Sequence, residues 1–359
     1  MKEKLDFIPN EIVSLKDYER YAKERMDLNS LAYVCSGAGD EITFRRNEEA
    51  FCEIFLETNT LEDLSGANTK IELFGQIYES PIFLAPVAYQ KLVDIDGEIS
   101  TAKACNAMNS CMCVSSFSSC TLEDISSYTN SPLWFQLYIQ PDMNINLKLI
   151  KKAQNLGFKA LVITIDAPIS GIRNIEQRAG FSLPNGIKAV NIENLNPIQT
   201  INNFENILDI APILPTWKDI EFIKNNTNLP VILKGITSVT YAKKALELKI
   251  DGIVVSNHGG RTIDTLAASI EILPKIAKVI DRRIPILFDG GIRRGTDIIK
   301  AITLGADAVM IGRPIMYGLA TAGALGVAHT LKILKEELEV SMIFSGCKII
   351  DEIKKIDLY

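Results

Sequence analysis

Histidine is nearly absent: the 359-residue chain carries only His258 and His329. Imidazole is the side chain whose ordinary pKa lies near neutrality, so a catalyst needing a base at physiological pH has few candidates here. The same scarcity, with no CxxC pair among seven cysteines, leaves no recognisable ligand set for zinc. No stretch reaches the roughly 18 apolar residues that begin to span a bilayer. The N-terminal segment also lacks the apolar core of a secretory signal. Nor is there an excess of basic charge: 38 Lys+Arg stand against 44 Asp+Glu, a net charge of −6, which disfavours a nucleic-acid surface. The final Lys-Lys-Ile-Asp-Leu-Tyr matches no retention or peroxisomal address. These absences predict a cytoplasmic protein with no nucleic-acid or membrane partner, its cysteines mostly buried free thiols.

What is present is a repeating alternation. A composition of 47% hydrophobic and 23% charged residues is that of an ordinary globular protein. Apolar runs suited to strands occur at Ile82–Ala85, Met112–Ser115, Trp134–Tyr138, Ala160–Thr164, Val231–Lys234, Gly252–Ser256, Ile286–Asp289 and Ala308–Ile311. They are continuously apolar rather than alternating, as in strands buried on both faces of a parallel sheet. Helical patterns such as Asn146–Leu156, Ser238–Leu248 and Thr296–Leu304 lie between them. Strand then helix, eight times, predicts an α/β fold, a single (β/α)8 TIM barrel. An open doubly wound sheet is the alternative, but no GxGxxG follows an early strand. The predicted layout is one domain over 1–359. It has a lead-in over 1–75, helical near Leu15–Met26 and Asn47–Leu56, a barrel core over 76–322, and C-terminal helices over 323–359. A polar insertion over 174–216 follows the fourth strand, where a long loop reads as a lid or an unstructured segment.

Catalytic groups in such a barrel come from the C-terminal strand ends. Here those ends switch abruptly to Ala85-Pro86, Ser115-Ser116, Gln136-Leu137-Tyr138, Thr164-Ile165-Asp166, Lys234, Ser256-Asn257-His258, Asp289-Gly290-Gly291 and Gly312-Arg313. Paired glycines and arginines on the last two strands predict a phosphate cradle, since glycine lets backbone N–H groups approach an anion. His258 ends an apolar strand with Arg261 three residues on, an acid–base group beside a bidentate partner for a carboxylate. His329, within the helical stretch Ala324–Lys335, reads as structural.

With these residues in place, the chain resembles the FMN-dependent 2-hydroxy acid oxidases and dehydrogenases, from about Tyr18 to Cys347. The strongest pieces are Ser256-Asn-His-Gly-Gly-Arg261 and Asp289-Gly-Gly-Ile-Arg-Arg-Gly-Thr-Asp297. Ser36-Gly-Ala38, Trp134-Phe-Gln-Leu-Tyr138, Leu233-Lys-Gly235, Gly312-Arg-Pro314 and Ser345-Gly-Cys347 support them. The resemblance implies FMN as cofactor and oxidation of a small (S)-2-hydroxy acid to the 2-oxo acid. It makes His258 the base, oriented by Asp166, with Tyr138 near the substrate hydroxyl. It makes Arg173, Arg261 and Tyr33 the carboxylate clamp. Pro86, Val87, Ala88, Ser115, Gln136, Thr164, Lys234 and Ser256 become flavin contacts, with Lys234 the cation near N1. Asp289 and Arg293 are assigned to the ribityl and phosphate groups, and Gly291, Gly312 and Arg313 to the phosphate cradle. It also implies a homotetramer.

Three departures bear on specificity. Phe117 stands where glycolate oxidases tend to carry tryptophan, Ser170 where they carry a bulky aliphatic residue, and Asp94-Ile-Asp-Gly-Glu98 replaces the common His-Pro-Glu-Gly-Glu. Ser170-Gly-Ile-Arg173 is closer to the lactate-oxidase pattern. With no fused haem domain and no apolar anchor in the insertion, O2 is the simplest acceptor. A dehydrogenase with another acceptor, or a different FMN- or phosphate-binding barrel such as an isomerase, remains the alternative.

Overall fold

The computed structural model describes residues 3–192 and 207–359. Eight parallel strands close into a barrel in chain order, its last strand pairing with its first. A two-stranded hairpin precedes it: β1 Ile71–Leu73 and β2 Gln76–Tyr78. The barrel strands are β3 Ile82–Leu84, β4 Met112–Ser115, β5 Leu133–Leu137, β6 Leu161–Thr164, β7 Val231–Ile236, β8 Gly252–Val255, β9 Ile286–Asp289 and β10 Ala308–Ile311. All eight predicted strands are therefore present, and β7 runs two residues further through a register shift between Lys234 and Ile236.

Each barrel strand is buried on both faces, which explains the unbroken apolar runs. Alternate residues divide the two sides. Phe83, Cys113, Trp134, Val162, Ile232, Val254, Leu287 and Met310 form one cluster that also takes in Leu73 and Tyr78 of the hairpin. The hairpin thus closes one end of the barrel, with Trp134 Nε1 donating to Tyr78 Oη at 3.0 Å. The other set, including Leu84, Val114, Phe135, Ile163 and Leu233, packs outward against the helices.

In chain order the helices are α1 Leu15–Arg25, α2 Leu28–Cys35, α3 Ile42–Glu49, α4 Glu98–Met108, α5 Leu122–Ser127, α6 Met143–Asn155, α7 Asn174–Ala179, α8 Trp217–Asn225, α9 Val239–Glu247, α10 Ser269–Ile280, α11 Gly295–Thr303, α12 Arg313–Phe344 and α13 Ile350–Ile353. The lead-in helix predicted from Asn47 is α3, which begins five residues earlier, and α2 is a further helix that apolar spacing did not reveal. Helix α12 breaks at Ala322 and Gly323, where the backbone leaves helical geometry. His329 lies beyond that break, its Nδ1 2.9 Å from Tyr18 Oη, a packing role. Of the 174–216 insertion, residues 193–206 lie outside the described residues. Its described parts hold α7 and a 3-10 turn at Ile207–Ile213. All seven cysteines are free, five of them buried, and no helix among the described residues is long and apolar enough to cross a membrane.

Candidate active site

Two adjoining cavities open at the C-terminal strand ends, and Tyr33, Ala88, Tyr138, His258 and Arg261 border both. The first, about 970 Å³ including its open mouth, runs from Lys234 to Arg313. The second, about 980 Å³ measured likewise, is walled by Arg173, Phe117, Phe181 and Leu183.

Where the cavities meet, His258 Nδ1 lies 2.9 Å from Asp166 Oδ1, and Nε2 lies 3.4 Å from Tyr138 Oη. The carboxylate fixes the ring so that Nε2 faces the cavity. His258 has φ of 56°, a left-handed conformation unusual outside glycine. Its N–H donates to Ser256 Oγ at 3.0 Å, which helps hold that strained geometry at the strand end. Gly235, at φ of 102°, makes room for Asp166: a Cβ there would lie 2.4 Å from the Asp166 Cγ. Burial, then the Asp166 charge, raises the Tyr138 phenol well above its ordinary range, so it is a neutral donor.

Lys234 is 4% exposed. Its Nζ lies 2.6 Å from Asp289 Oδ2 and donates to Ser256 Oγ at 2.9 Å. Burial alone would lower its pKa, but the charges of Asp289 and Asp166 more than offset this and raise it. A fixed cation therefore stands at the cavity wall.

The far end of the first cavity carries the predicted anion site. Arg293 donates through Nη2 to Glu48 Oε1 at 2.7 Å, and Arg313 donates to the carbonyls of Val34, Ser36 and Gly259 at 3.2, 2.9 and 3.0 Å. Burial, then the nearby Arg261, pulls the Arg313 pKa down to about 10. Arg293 Nε and Asp289 Oδ1 are buried with no hydrogen-bond partner among the described residues. Such groups are costly unless a ligand satisfies them. At Gly312 a Cβ would meet only Ala85 Cβ at 3.9 Å, leaving room for a ligand against the backbone. Cation, unpaired carboxylate oxygen, unpaired guanidinium nitrogen and open glycine together fit the ring, ribityl chain and phosphate of FMN. Gly291 borders the same cavity but answers a different need: a Cβ there would lie 1.8 Å from the Asn47 carbonyl.

In the second cavity Glu176, on α7, binds both arginines. Its Oε1 accepts from Arg173 Nε at 2.5 Å, Arg261 Nη2 at 3.1 Å and Ser36 Oγ at 3.1 Å. Arg173 Nη2 also donates to Ser170 Oγ at 3.0 Å, and Arg261 Nη1 to the carbonyls of Tyr33 and Ser36 at 2.7 and 2.8 Å. Burial raises the Tyr33 pKa, so its hydroxyl stays protonated.

The structure thus brings Tyr33, Pro86, Val87, Ala88, Tyr138, Thr164, Lys234, His258, Arg261, Asp289, Gly291, Arg293, Gly312 and Arg313 to the first cavity, and Arg173 to the second. Asp166 stands behind His258. Ser115, Gln136 and Ser256 line neither cavity and are fully buried behind the wall. Gln136 accepts from Ser115 Oγ at 3.1 Å and donates to Thr164 Oγ1 at 3.0 Å, so this layer orients the strand-end groups in front of it. Sequence reasoning missed Glu176, Glu48, Asn47 and Phe44, the last lying 4.4 Å beneath the Arg313 guanidinium. Only Glu176 had a local signal, its spacing of three from Arg173.

The chain is similar to known proteins over nearly its whole length. Residues 22–358 match the family model described as FMN-dependent dehydrogenase. A 2-hydroxyacid oxidase of Dictyostelium discoideum is 41% identical over 348 residues, 95% of this chain and 88% of the relative. An L-lactate oxidase of Alicycliphilus denitrificans is 39% identical over 352 residues, covering 97% of this chain and 96% of the relative. Among solved structures, mandelate oxidase with benzoyl-formic acid superposes with a TM-score of 0.89 at 35% identity, covering 97% of this chain and 98% of that one.

Proposed function

The chain belongs to the FMN-dependent dehydrogenase family, and from that premise we propose that it oxidises a small (S)-2-hydroxy acid to the 2-oxo acid, with O2 as terminal acceptor and H2O2 as product. The observation that carries this reading is the convergence of a base, His258 on Asp166, with two guanidiniums at one cavity junction. Its relatives include oxidases of 2-hydroxy acids and of L-lactate at 39–41% identity.

Bound FMN supplies the two-electron acceptor. Arg173, Arg261 and Tyr33 hold the substrate carboxylate, which fixes the α-carbon and turns binding energy into orientation. His258 Nε2 accepts the proton released as that carbon is oxidised, and Asp166 stabilises the imidazolium that results. Tyr138, kept protonated, donates to the substrate oxygen beside His258. Asp289, Arg293, Gly312 and Arg313 anchor the cofactor's ribityl and phosphate groups, and Lys234 offers its charge to the ring. The lead-in over 1–75 belongs to the same catalytic unit, since Tyr33 and Ser36 complete the clamp, and Glu176, Phe181 and Leu183 of the described insertion wall the substrate side. Seven free thiols support a reducing, cytoplasmic setting. Exposed Val340, Ile343 and Phe344 on α12 supply surface for a homotetramer, which sedimentation velocity tests.

The deciding experiment is anaerobic mixing of purified, FMN-reconstituted protein with lactate, glycolate and mandelate while the flavin absorbance is followed. Bleaching by at least one acid, then rapid recovery on admitting oxygen, is expected. No bleaching with any of them rejects the activity, and recovery only with an added dye makes it a dehydrogenase. His258→Ala should keep FMN and reduce about 10²–10⁴-fold more slowly; an unchanged rate removes His258 as the base.

A further inference from the structure

We infer that Glu176 sets the charge of the substrate cavity so that it admits a 2-hydroxy acid bearing one carboxylate and turns away one bearing two. The inference rests on the function proposed above and names the substrate class within it.

Glu176 is 8% exposed. A buried carboxylate is retained at a ligand cavity only if it is well paired, and this one is: a single oxygen takes three hydrogen bonds, two of them from the arginines assigned to the substrate. It therefore cancels one of two partly buried positive charges. The charged groups bordering this cavity are Arg173, Arg261 and Glu176, with His258 at the junction. The clamp is left with a net single positive charge, matched to one carboxylate.

The geometry also keeps Glu176 beside the ligand rather than in its place. It engages Nη2 of Arg261 and Nε of Arg173, while Tyr33 and Ser36 carbonyls hold Nη1 of Arg261. Nε of Arg261 and Nη1 of Arg173 make none of these bonds and remain to bind the substrate. Beyond the clamp Tyr89, Phe117, Ile169, Phe181 and Leu183 form the apolar part of the wall, and Ser170, Ser182 and Thr262 add neutral hydroxyls but no further cation. A second carboxylate reaching that wall would meet only neutral groups, with no cation to pair it, and would feel the Glu176 charge across a weakly screening interior. Discrimination then comes from a repulsive element as well as an attractive one.

The test uses two probes of nearly equal shape that differ by one charge: L-malate and its 4-amide, L-malamate. Flavin reduction by each is measured anaerobically with the wild-type holoenzyme, Glu176→Gln and Glu176→Asp, with lactate alongside. The wild type should use the amide at least about tenfold more efficiently than the diacid. Glu176→Gln should move that ratio toward malate by about tenfold, and Glu176→Asp, which keeps the charge, should leave the ratio alone while lowering both efficiencies. Equal wild-type efficiencies for the two probes, including none for both, overturn the inference. So does a Glu176→Gln enzyme in which both probes change by one common factor, as a merely structural role would produce. If Glu176→Gln fails to hold FMN, the wild-type ratio and the Glu176→Asp ratio still decide. Failure of lactate, glycolate and mandelate alike to reduce the wild-type flavin is a separate result, and it rejects the underlying activity.

Discussion

A lysine ammonium taken fully out of water tends to shed its proton, yet Lys234 is held charged by Asp289 at 2.6 Å and by the more distant Asp166. Removing one partner of a buried pair strands the other, at a cost of about 3–5 kcal/mol. Lys234→Met should therefore destabilise the FMN-free protein by about that amount, read by urea unfolding, and Lys234→Met with Asp289→Asn should recover part of the loss. The sign of the pH dependence follows from the raised pKa. The contribution is fully present below the ordinary lysine value of about 10.4 and is lost only as pH climbs through the higher folded value. The difference between wild type and Lys234→Met should thus be equal at pH 7 and pH 9. A difference already fading by pH 9 would mean that the lysine is not held charged by its carboxylates.

At the scale of elements, two neighbouring strands share one device. β7 brings Lys234 to the cavity wall and in the next residue gives up its side chain, so that Asp166, just past the end of β6, can stand against His258. Gly235→Ala would drive a methyl into Asp166 at a backbone angle that L-residues rarely adopt. A displacement of about 1 Å in such a group costs on the order of 10²-fold in rate. Gly235→Ala should retain FMN, measured by quenching of free flavin fluorescence, and slow anaerobic reduction by about that factor; an unaltered rate would show that Asp166 does not position the base. The strands and their polar ends were legible because the signal is local: an apolar run, buried on both sides, stops where the chain reaches the cavity. The lead-in's contribution was not legible. Asn47 meets Gly291, Glu48 meets Arg293 and Phe44 meets Arg313 across more than two hundred residues, and neither partner carries a periodicity that points to the other. The three-residue strands of the hairpin were too short to show a pattern. Six-residue α7 hid in a polar stretch, and with it Glu176.

For the whole molecule, the anion end of the cavity is also where the fold closes. The loops after β9 and β10 flank the strand that seals the barrel against β3, and the lead-in carbonyls of Val34 and Ser36 are tied there by Arg313. Arg293 and Arg313 place two guanidiniums in a low-dielectric region, and the lowered pKa of Arg313 records the cost of keeping it charged there. Because the folded pKa of this base lies near 10, below its ordinary value, that cost is full at neutral pH and eases only as pH rises through about 10. A phosphate offsets it at neutral pH by pairing both cations, and so should stabilise lead-in, barrel seam and cofactor together. A ligand at about 100 times its Kd adds about 2.7 kcal/mol. For a chain this long FMN should then raise Tm by about 4 °C, followed by circular dichroism. Riboflavin carries the same ring and ribityl chain without the phosphate, and at equal concentration it should raise Tm far less. The FMN shift should also shrink below about pH 6, where the phosphate takes up its second proton. An equal shift from riboflavin would place the stabilisation on the ring and remove Arg293 and Arg313 from the anchor assigned to them.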